Sequence, residues 1–375
     1  MPRMELPEVA GVMSAVEVER TIDAIEEVQL PNGEIPWSRG NHTDPWNHVE
    51  SAMALDLGGR FAAVERAYEW LEQTQRPDGA WHAYYQDGTV KERWLDTNVT
   101  CYVAAGVWHH YLCTGDTGFL EHYFPMAERA VDFVLYHQHP TGEIEWDADP
   151  DRIDGRGALL TGSSSIYMSV RCAIACAERL GRERPDWELS VGSLAIAVQH
   201  RPERFLDKQR WAMDWYYPIL GGVMRGDAAH ARIASRWDTF VVPKRGVRCV
   251  SDQPWVTAAE TCECVMALDA IGAHDRAHEL FEWVQFLRDD DGAYWTGANF
   301  DGEHWDLDGE LYPVEKPTWN SAAVVLAANA LAGHGPTAGL FRGSGLPAGL
   351  TAEELIEAGL ALDRQRAARR DGDGR

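Results

Sequence analysis

The sequence has few basic residues and no long apolar run, and these absences exclude several classes of function. Only 34 Lys and Arg residues oppose 59 Asp and Glu residues, which leaves a formal net charge of −25. A surface of this sign repels nucleic acid, anionic membranes and polyphosphates, so we expect none of these as a partner. No stretch of 18 apolar residues could span a bilayer, and the acidic N-terminal thirty residues do not have the pattern of a signal peptide. We therefore predict a cytoplasmic location.

A disulfide framework and a metal site are also not expected. The seven cysteines are odd in number and scattered along the chain. Cys172 and Cys176 can share a helix face, but no His or Cys spacing elsewhere completes a zinc site. His109 and His110 fall in the middle of a helical pattern, where packing is the favoured interpretation. We predict no metal and no cofactor.

A turn phrase recurs four times along the chain. It reads QLPNGEIPW (29–37), QRPDGAWHAYY (75–85), QHPTGEIEW (138–146) and LRDDDGAYW (287–295). Each phrase ends a helical pattern, turns through Pro or Asp plus Gly, and continues into an aromatic or β-branched stretch. Glycine supplies the positive φ that such a turn requires. We interpret the phrase as architectural, with its Gln and Trp connecting one repeat to the next.

The segments between these turns are helical patterns of two kinds. The amphipathic, charge-rich patterns cover 15–29, 60–75, 119–138, about 185–200, about 227–240 and 274–288. Patterns that are apolar nearly all round cover 46–58, 96–113, 161–181, 213–225, 255–272 and 317–332. Six outer helices alternating with six inner helices predict an all-α, single-domain (α/α)6 toroid over residues 1–345. Residues 346–375 are predicted to form a C-terminal helix, capped at Thr351, and a charged tail.

The starts of the predicted inner helices differ in chemistry from the rest of the sequence. In a ring they would converge on one cavity that is rich in carboxylates, indoles and neutral hydrogen-bonding groups, which suits a carbohydrate. The residues that we expect to bind substrate there are Trp46, His48, Asp96, Asn98, Ser164, Tyr167, Asp214, Trp215, Tyr216, Trp255, Trp319 and Asn320. The acidic residues Asp44, Glu260 and Glu263 lie in the same segments.

A purely structural explanation stays open for each acidic residue. Asp44 precedes Pro45, the arrangement of a helix N-cap with proline at the first helical position. Thr257 and Glu260 have the spacing of a capping box. Asp96 and Asp214 could likewise cap helices. The recurrence of carboxylates at four converging helix starts favours a functional interpretation.

Long phrases of the chain resemble a known family. They are DPWNHVESAMALD, DTNVTCYVAAGVWHHYL, LLTGSSSIY, MDWYYPIL and VRCVSDQPWVTAAETCECVMALDA. Across residues 15–343 they are similar to an actinobacterial (α/α)6 family labelled prenyltransferase-like, which includes an α-endomannosidase. The resemblance implies hydrolysis of internal α-(1→4) linkages in 3-O-methylmannose polysaccharide, with Asp44 and Glu260 as the carboxylate pair.

The expected mechanism uses two carboxyl groups, one protonated as the acid and one ionised as the base that activates water. Our interpretation makes Asp44 the acid and Glu260 the base, with inversion by analogy to other helical toroids. Two alternatives remain. The phrase QRPDGAW is similar to a repeat motif of triterpene cyclases, so a terpenoid cyclase or prenyltransferase is one. The other is a glycan-binding toroid without catalysis. The acidic triplet Asp289–Asp291 lies in an outer turn, where a cyclase acid is not expected.

Overall fold

The computed structural model describes residues 5–148, 157–300, 305–306, 314–347 and 349–350. Within these ranges the chain forms twelve α-helices. The odd-numbered helices are α1 (Ala15–Glu26), α3 (Phe61–Thr74), α5 (Thr117–Tyr136), α7 (Pro185–His200), α9 (Gly226–Phe240) and α11 (His274–Val284). The even-numbered helices are α2 (Pro45–Leu57), α4 (Thr97–Thr114), α6 (Leu160–Arg179), α8 (Ala212–Leu220), α10 (Ala258–Ala270) and α12 (Thr318–Ala332). Each corresponds to a predicted helix, and the helix predicted from Thr351 lies outside the described residues.

The two predicted kinds of helix differ in burial as expected. Nearly every residue of α2, α10 and α12 is buried, whereas α3 and α11 bury one face only. The even-numbered helices pack in the order α2, α4, α6, α8, α10 and α12, and α12 packs against α2. Each odd-numbered helix packs against an even-numbered neighbour. In the part of the chain that is described, no helix is both long enough and apolar enough to cross a membrane.

Backbone hydrogen bonds join the segments at the starts of the six even-numbered helices. The bonded pairs are Thr43 with Tyr85, Thr97 with Trp146, Ala158 with Leu206, Ala212 with Cys249, Ala258 with Thr296, and Thr318 with Trp37. Each pair links the segment of one even-numbered helix to that of the next. Together the pairs make a closed cycle, so all six helices begin at the same end of the molecule.

The four repeated turns have the conformation that their glycines predict. Gly33, Gly79, Gly142 and Gly292 have φ values of +91°, +98°, +104° and +90°. A Cβ atom on Gly79 would lie 2.3 Å from the carbonyl oxygen of Arg129 in α5. Only glycine therefore permits both the turn and the close approach of the neighbouring helix.

The glutamine of the turn phrase connects adjacent repeats. Gln75 Nε2 donates to the carbonyl of Gly79 and to that of Met126 in α5, both at 2.9 Å. Gln29 and Gln138 make the same pair of bonds in their own repeats. Trp81 is buried and donates its indole N–H to the Leu71 carbonyl at 2.9 Å. The connecting role predicted for the glutamine is confirmed, whereas the indole hydrogen bond of Trp81 stays within its own repeat.

Seven short strands among the described residues make the all-α prediction incomplete. They are β1 (Tyr84–Gln86), β2 (Thr89–Glu92), β3 (Val241–Val242), β4 (Gly246–Arg248), β5 (Trp255–Thr257), β6 (Gly297–Phe300) and β7 (Trp305–Asp306). Strands β1 and β2 form a hairpin, and β3 to β7 form one antiparallel sheet in chain order. The prediction that residues 255–257 begin an inner helix is wrong. Aromatic and β-branched residues fill β5, and they suit pairing with β4 and β6.

Candidate active site

Asp44 caps α2 and is also a buried carboxyl. Its Oδ1 accepts a hydrogen bond from the backbone N–H of Asn47 at 2.9 Å, and the Asn47 side-chain amide donates to Oδ2. Burial raises the pKa of Asp44 to about 6. The capping role that the sequence left open is real. The same group can still hold a proton in mildly acidic solution, which a general acid requires.

Glu260 lies in the first turn of α10 without taking part in a cap. Thr257 precedes the helix, but its hydroxyl makes no capping hydrogen bond, so the capping-box alternative is wrong. The Glu260 side chain is buried. Burial raises the pKa of the Cys249 thiol, in the segment before β5, and the charge of the neighbouring Glu260 adds to that shift. Helix capping therefore does not explain why this carboxylate is buried.

Two more glutamates, Glu50 in α2 and Glu263 in α10, lie buried inside the ring of even-numbered helices. They line one small cavity whose other walls come from α4, α6 and α8 and from Phe341. Burial raises the pKa of Glu50 to about 8, and the charge of Asp44 adds to that shift. Burial and the neighbouring Glu50 hold the pKa of Glu263 well above its usual range. We call Glu50 and Glu263 the acidic floor.

Two tyrosines and one indole hold the acidic floor in place. Tyr217 donates its hydroxyl to Glu263 Oε1 at 2.6 Å, and Tyr216 donates to Oε2. The Trp319 side chain lies close enough to Glu50 to oppose the rise in its pKa. Glu260 also raises the pKa of Glu263 through its charge. The charge of Asp44 therefore acts on Glu50, and the charge of Glu260 acts on Glu263, so both candidate catalytic groups influence the acidic floor.

Aromatic rings from several helices meet next to the acidic floor. Trp46, in the first turn of α2, contacts Tyr102 of α4 at a centroid distance of 5.7 Å and Tyr217 of α8 at 6.2 Å. It also contacts Trp319 of α12 at 6.0 Å. Four even-numbered helices therefore meet around one indole. Trp46 and Trp319 remain partly exposed, as residues that meet a ligand must be.

Asp96 caps α4 in the same way that Asp44 caps α2. Its Oδ1 accepts from the backbone N–H of Val99 at 2.9 Å. Burial raises the pKa of Asp96 to about 7, and the charges of Asp44 and Asp147 add to the shift. Asn98 is buried beside it, and its Oδ1 has no hydrogen-bond partner. The structure thus brings Asp96 and Asp44 together, as predicted.

His48 does not fit its predicted role in substrate binding. The ring is fully buried, and Nδ1 lies 3.0 Å from the backbone nitrogen of Ile35. Nε2 lies 3.0 Å from the Ala67 carbonyl. Burial lowers the pKa of His48 to about 4, so the imidazole is neutral and both nitrogens are occupied. His48 connects α2 to α3 and to the preceding turn.

Trp215 and Ser164 also face the scaffold. Trp215 stacks on Phe240 of α9 at 5.4 Å and donates its indole N–H to the Arg232 carbonyl. Ser164 donates its hydroxyl to the Leu160 carbonyl of its own helix. A Cβ on Gly221 would lie 2.1 Å from the Ser164 carbonyl oxygen, which marks a close approach of α6 and α8. Both predictions of substrate contact lack structural support.

Three other predicted residues lie apart from the Asp44 region. Tyr167 packs against the Arg171 guanidinium at 5.4 Å, and Arg171 in turn donates to the Pro347 carbonyl. Asp214 lines a separate cavity of about 440 Å³ between α6, α8 and α9. Burial raises its pKa to about 6, and its Oδ1 has no hydrogen-bond partner. Trp255 is buried in β5 beside Cys249.

The last two predicted binding residues lie within the ring of even-numbered helices. Tyr216 is fully buried and supports the acidic floor. Asn320 is buried at the start of α12 and donates to the Trp295 carbonyl at 3.0 Å, while its Oδ1 has no partner. Sequence reasoning missed Glu50, because every position around it in α2 is buried and the pattern shows no special face.

A buried Asp–His cluster lies toward the opposite ends of α2 and α4. Asp56 Oδ1 lies 2.7 Å from His110 Nδ1, and Oδ2 lies 3.3 Å from His109 Nδ1. Cys113 Sγ lies 3.8 Å from the same His109 nitrogen. Among the described residues, only Asp56, His109 and Cys113 bring three possible metal-ligand atoms close enough together to hold one ion. The contacts with His109 and His110 already account for the buried carboxylate of Asp56. The prediction of no metal stays a prediction.

No protein-family model matches the chain. Among curated proteins, it is 49% identical over 348 residues to the MMP endo-(1,4)-3-O-methyl-α-D-mannosidase of Mycolicibacterium hassiacum. The alignment covers 93% of this chain and 95% of that protein. The resemblance therefore extends across almost the whole of both chains.

Solved structures of glycosidases share the fold. A glycosidase variant in complex with glucose superposes with a TM-score of 0.67 at 14% identity, covering 85% of this chain and 96% of that chain. A mannosylglycerate hydrolase of Thermus thermophilus superposes with a TM-score of 0.62 at 10% identity, covering 83% of this chain and 99% of that one. At these identities the likeness establishes the fold alone.

Proposed function

The chain belongs to the family of the MMP endo-(1,4)-3-O-methyl-α-D-mannosidase of Mycolicibacterium hassiacum, and from this premise we propose that it cleaves internal α-(1→4) linkages of 3-O-methylmannose polysaccharide. It is a glycoside hydrolase. The observation that carries the proposal is 49% identity sustained over 93% of the chain. The buried carboxyl groups and partly exposed indoles at the helix starts support a neutral sugar as the ligand.

In the proposed mechanism Asp44 is the general acid. Burial raises its pKa to about 6, so the proton needed by the leaving group is present near neutral pH. Asp44 donates this proton to the glycosidic oxygen as the bond to the anomeric carbon breaks. Glu260 takes a proton from the water that attacks the opposite face of that carbon. The product then carries an inverted anomeric configuration.

The acidic floor supports this division of roles. With Glu50 and Glu263 protonated, the acidic floor would carry no negative charge and would not repel the ionised base. Tyr216 and Tyr217 hold Glu263 in a fixed orientation. Glu50 and Glu263 are therefore proposed as positioning residues that act through Asp44 and Glu260.

The architecture proposed for this activity is an (α/α)6 toroid formed by one domain over residues 1–345. It is supported by the cyclic packing order of the even-numbered helices and by the backbone bonds at their starts. A cytoplasmic location is proposed because all seven cysteines are free thiols, as is usual in a reducing compartment.

Amide substitutions test the catalytic pair. Asp44→Asn and Glu260→Gln should each reduce kcat by roughly 10²–10⁴-fold, the contribution of a general acid or base, with little change in melting temperature. An amide oxygen still accepts the capping bond of Asp44, so the fold should survive. The assay is release of oligosaccharides from 3-O-methylmannose polysaccharide, measured per folded molecule.

Matched controls come from the outer helices. Asp116 caps α5 by accepting from the Phe119 N–H at 3.1 Å, and Glu188 lies in the first turn of α7. Asp116→Asn and Glu188→Gln should leave kcat unchanged. Near-normal turnover by both site variants would overturn the assignment of Asp44 and Glu260. NMR of the first-formed product would show inversion as the β anomer, and an α anomer would instead show retention.

A further inference from the structure

Five aromatic side chains form a continuous row at the end where the even-numbered helices begin. The row consists of Trp37, His42, Tyr84, Trp94 and Trp146, and we call it the aromatic arc. Neighbouring ring centroids are 5.9, 4.3, 6.0 and 5.7 Å apart along this order. The arc therefore extends over the segments in front of α2, α4 and α6.

The arc begins at the proposed active site. Trp37 contacts Trp319 at 5.7 Å, and Trp319 contacts both Trp46 and the acidic floor. Farther along, the charges of Asp44 and Asp96 act on the Tyr84 hydroxyl. The row thus starts beside Trp319, passes Asp44 and Asp96 at Tyr84, and continues to Trp94 and Trp146.

Backbone hydrogen bonds hold the arc rigidly against the starts of the helices. The Trp146 carbonyl accepts from the Thr97 N–H at 3.1 Å, and the Trp94 carbonyl accepts from Ala83 N–H at 3.0 Å. The Trp37 indole N–H donates to Glu315 Oε1 at 2.7 Å. A row fixed in this way loses little conformational entropy when a ligand binds.

Packing alone does not explain the exposure of the arc. Trp81 and Trp187, which serve the scaffold, are 1% and 0% exposed. All five rings of the arc are only partly buried, although they touch one another. A contiguous row of partly exposed rings beside a catalytic site is typical of a binding surface for a ligand with apolar faces.

We propose that the aromatic arc binds sugar units of the polysaccharide several positions away from the bond that is cleaved. The inference rests on the proposed function and extends it to the selection of substrate length and methylation. The C–H face of a pyranose packs on an aromatic ring, and a methyl ether adds apolar area while removing a hydroxyl donor. The arc therefore favours 3-O-methylated chains over unmethylated α-(1→4)-mannan.

The test compares wild type with Trp94→Ala and Trp146→Ala on 3-O-methylated α-(1→4)-mannooligosaccharides of increasing length. For the longest chains, each variant should lose about tenfold in kcat/KM, the effect of removing one well-packed aromatic contact. For the shortest chain that is cleaved, the loss should be less than about twofold, because that chain does not reach the far end of the arc. Trp146→Phe keeps a ring and should restore most of the loss.

Tyr111→Ala is the matched control. Tyr111 is a partly buried aromatic residue near the opposite end of α4, where it packs on Trp108 and Arg179. Its removal should not change the length dependence, and melting curves should show that all variants are folded. Equal losses at every length, or no loss at any length, would overturn the arc while leaving the hydrolase intact. A wild type that cleaves no member of the series would overturn the proposed function and the inference with it.

Discussion

Replacing Glu50 with Gln should stabilise the folded protein, and the gain should grow with pH. Burial raises the pKa of Glu50 from 4.5 to about 8. The folded state therefore keeps a proton that the unfolded chain releases as pH rises from about 4.5 to about 8. The unfolded state binds fewer protons in this window, so the stability of the wild type falls as pH increases.

The size of the effect follows from the same shift. Each unit of pKa difference corresponds to about 1.4 kcal/mol, so at pH 7 the wild type should lose about 3 kcal/mol relative to a Glu of ordinary pKa. Above pH 8 the loss approaches about 5 kcal/mol. Gln has nearly the shape of protonated Glu and does not titrate.

Denaturant unfolding near pH 5, pH 7 and pH 8.5 measures the difference, with the m-value as a check that the transition is unchanged. Glu121→Gln is the control, because Glu121 is exposed on the outer helix α5 and should give no gain at any pH. A gain for Glu50→Gln that is the same at all three pH values would refute the reasoning. So would a loss that increases with pH.

Three other predictions separate the site from the scaffold. If Asp44 is the acid, kcat should fall as pH rises above about 6, because its pKa is about 6, and a pH–rate profile that stays flat to alkaline pH would contradict this role. Trp81→Ala should lower stability by about 3–5 kcal/mol, as loss of a buried Trp does. Its kcat/KM per folded molecule should not change, and a folded but inactive variant would contradict the architectural role. Gly79→Ala would place Cβ 2.3 Å from a carbonyl oxygen and should prevent folding or cost several kcal/mol in thermal unfolding. Gly115→Ala, also at positive φ but in open space, should cost only about 1–2 kcal/mol, and equal costs would refute the close-approach argument.

The helices could be predicted from the sequence because burial acts on each of them in a simple way. In α3 the apolar residues recur at three- and four-residue spacing, and these are the residues that the structure buries. The Gly-turn phrases marked the ends of α1, α3, α5 and α11, since only glycine fits at positions such as Gly79. The predicted family is likewise confirmed by a relative that matches 93% of the chain.

Polar residues of the inner helices could not be assigned from the same patterns. His48 and Glu50 lie two positions apart in α2, and both are buried. One connects the helix to backbone groups of the scaffold, whereas the other faces the interior of the ring. Because all sides of α2 are covered, hydropathy does not distinguish these directions. Only the packing of α1, α3, α4 and α12 around the helix does so.

The distribution of charge explains why this scaffold can hold several buried carboxyl groups near one site. In the acidic turn at Asp289–Asp291, the positive charge of Lys316 is paired locally, with Asp289 at 2.8 Å and with Asp291. This pairing agrees with the expectation that the acidic triplet lies in an outer turn, where a cyclase acid is not expected. Among the interactions that shift the pKa of Glu50 and Glu263, by contrast, none comes from a cation. Protonation is therefore the means by which the acidic floor avoids charge repulsion, and a protonated floor suits a ligand that is neutral and rich in hydroxyl and ether oxygens.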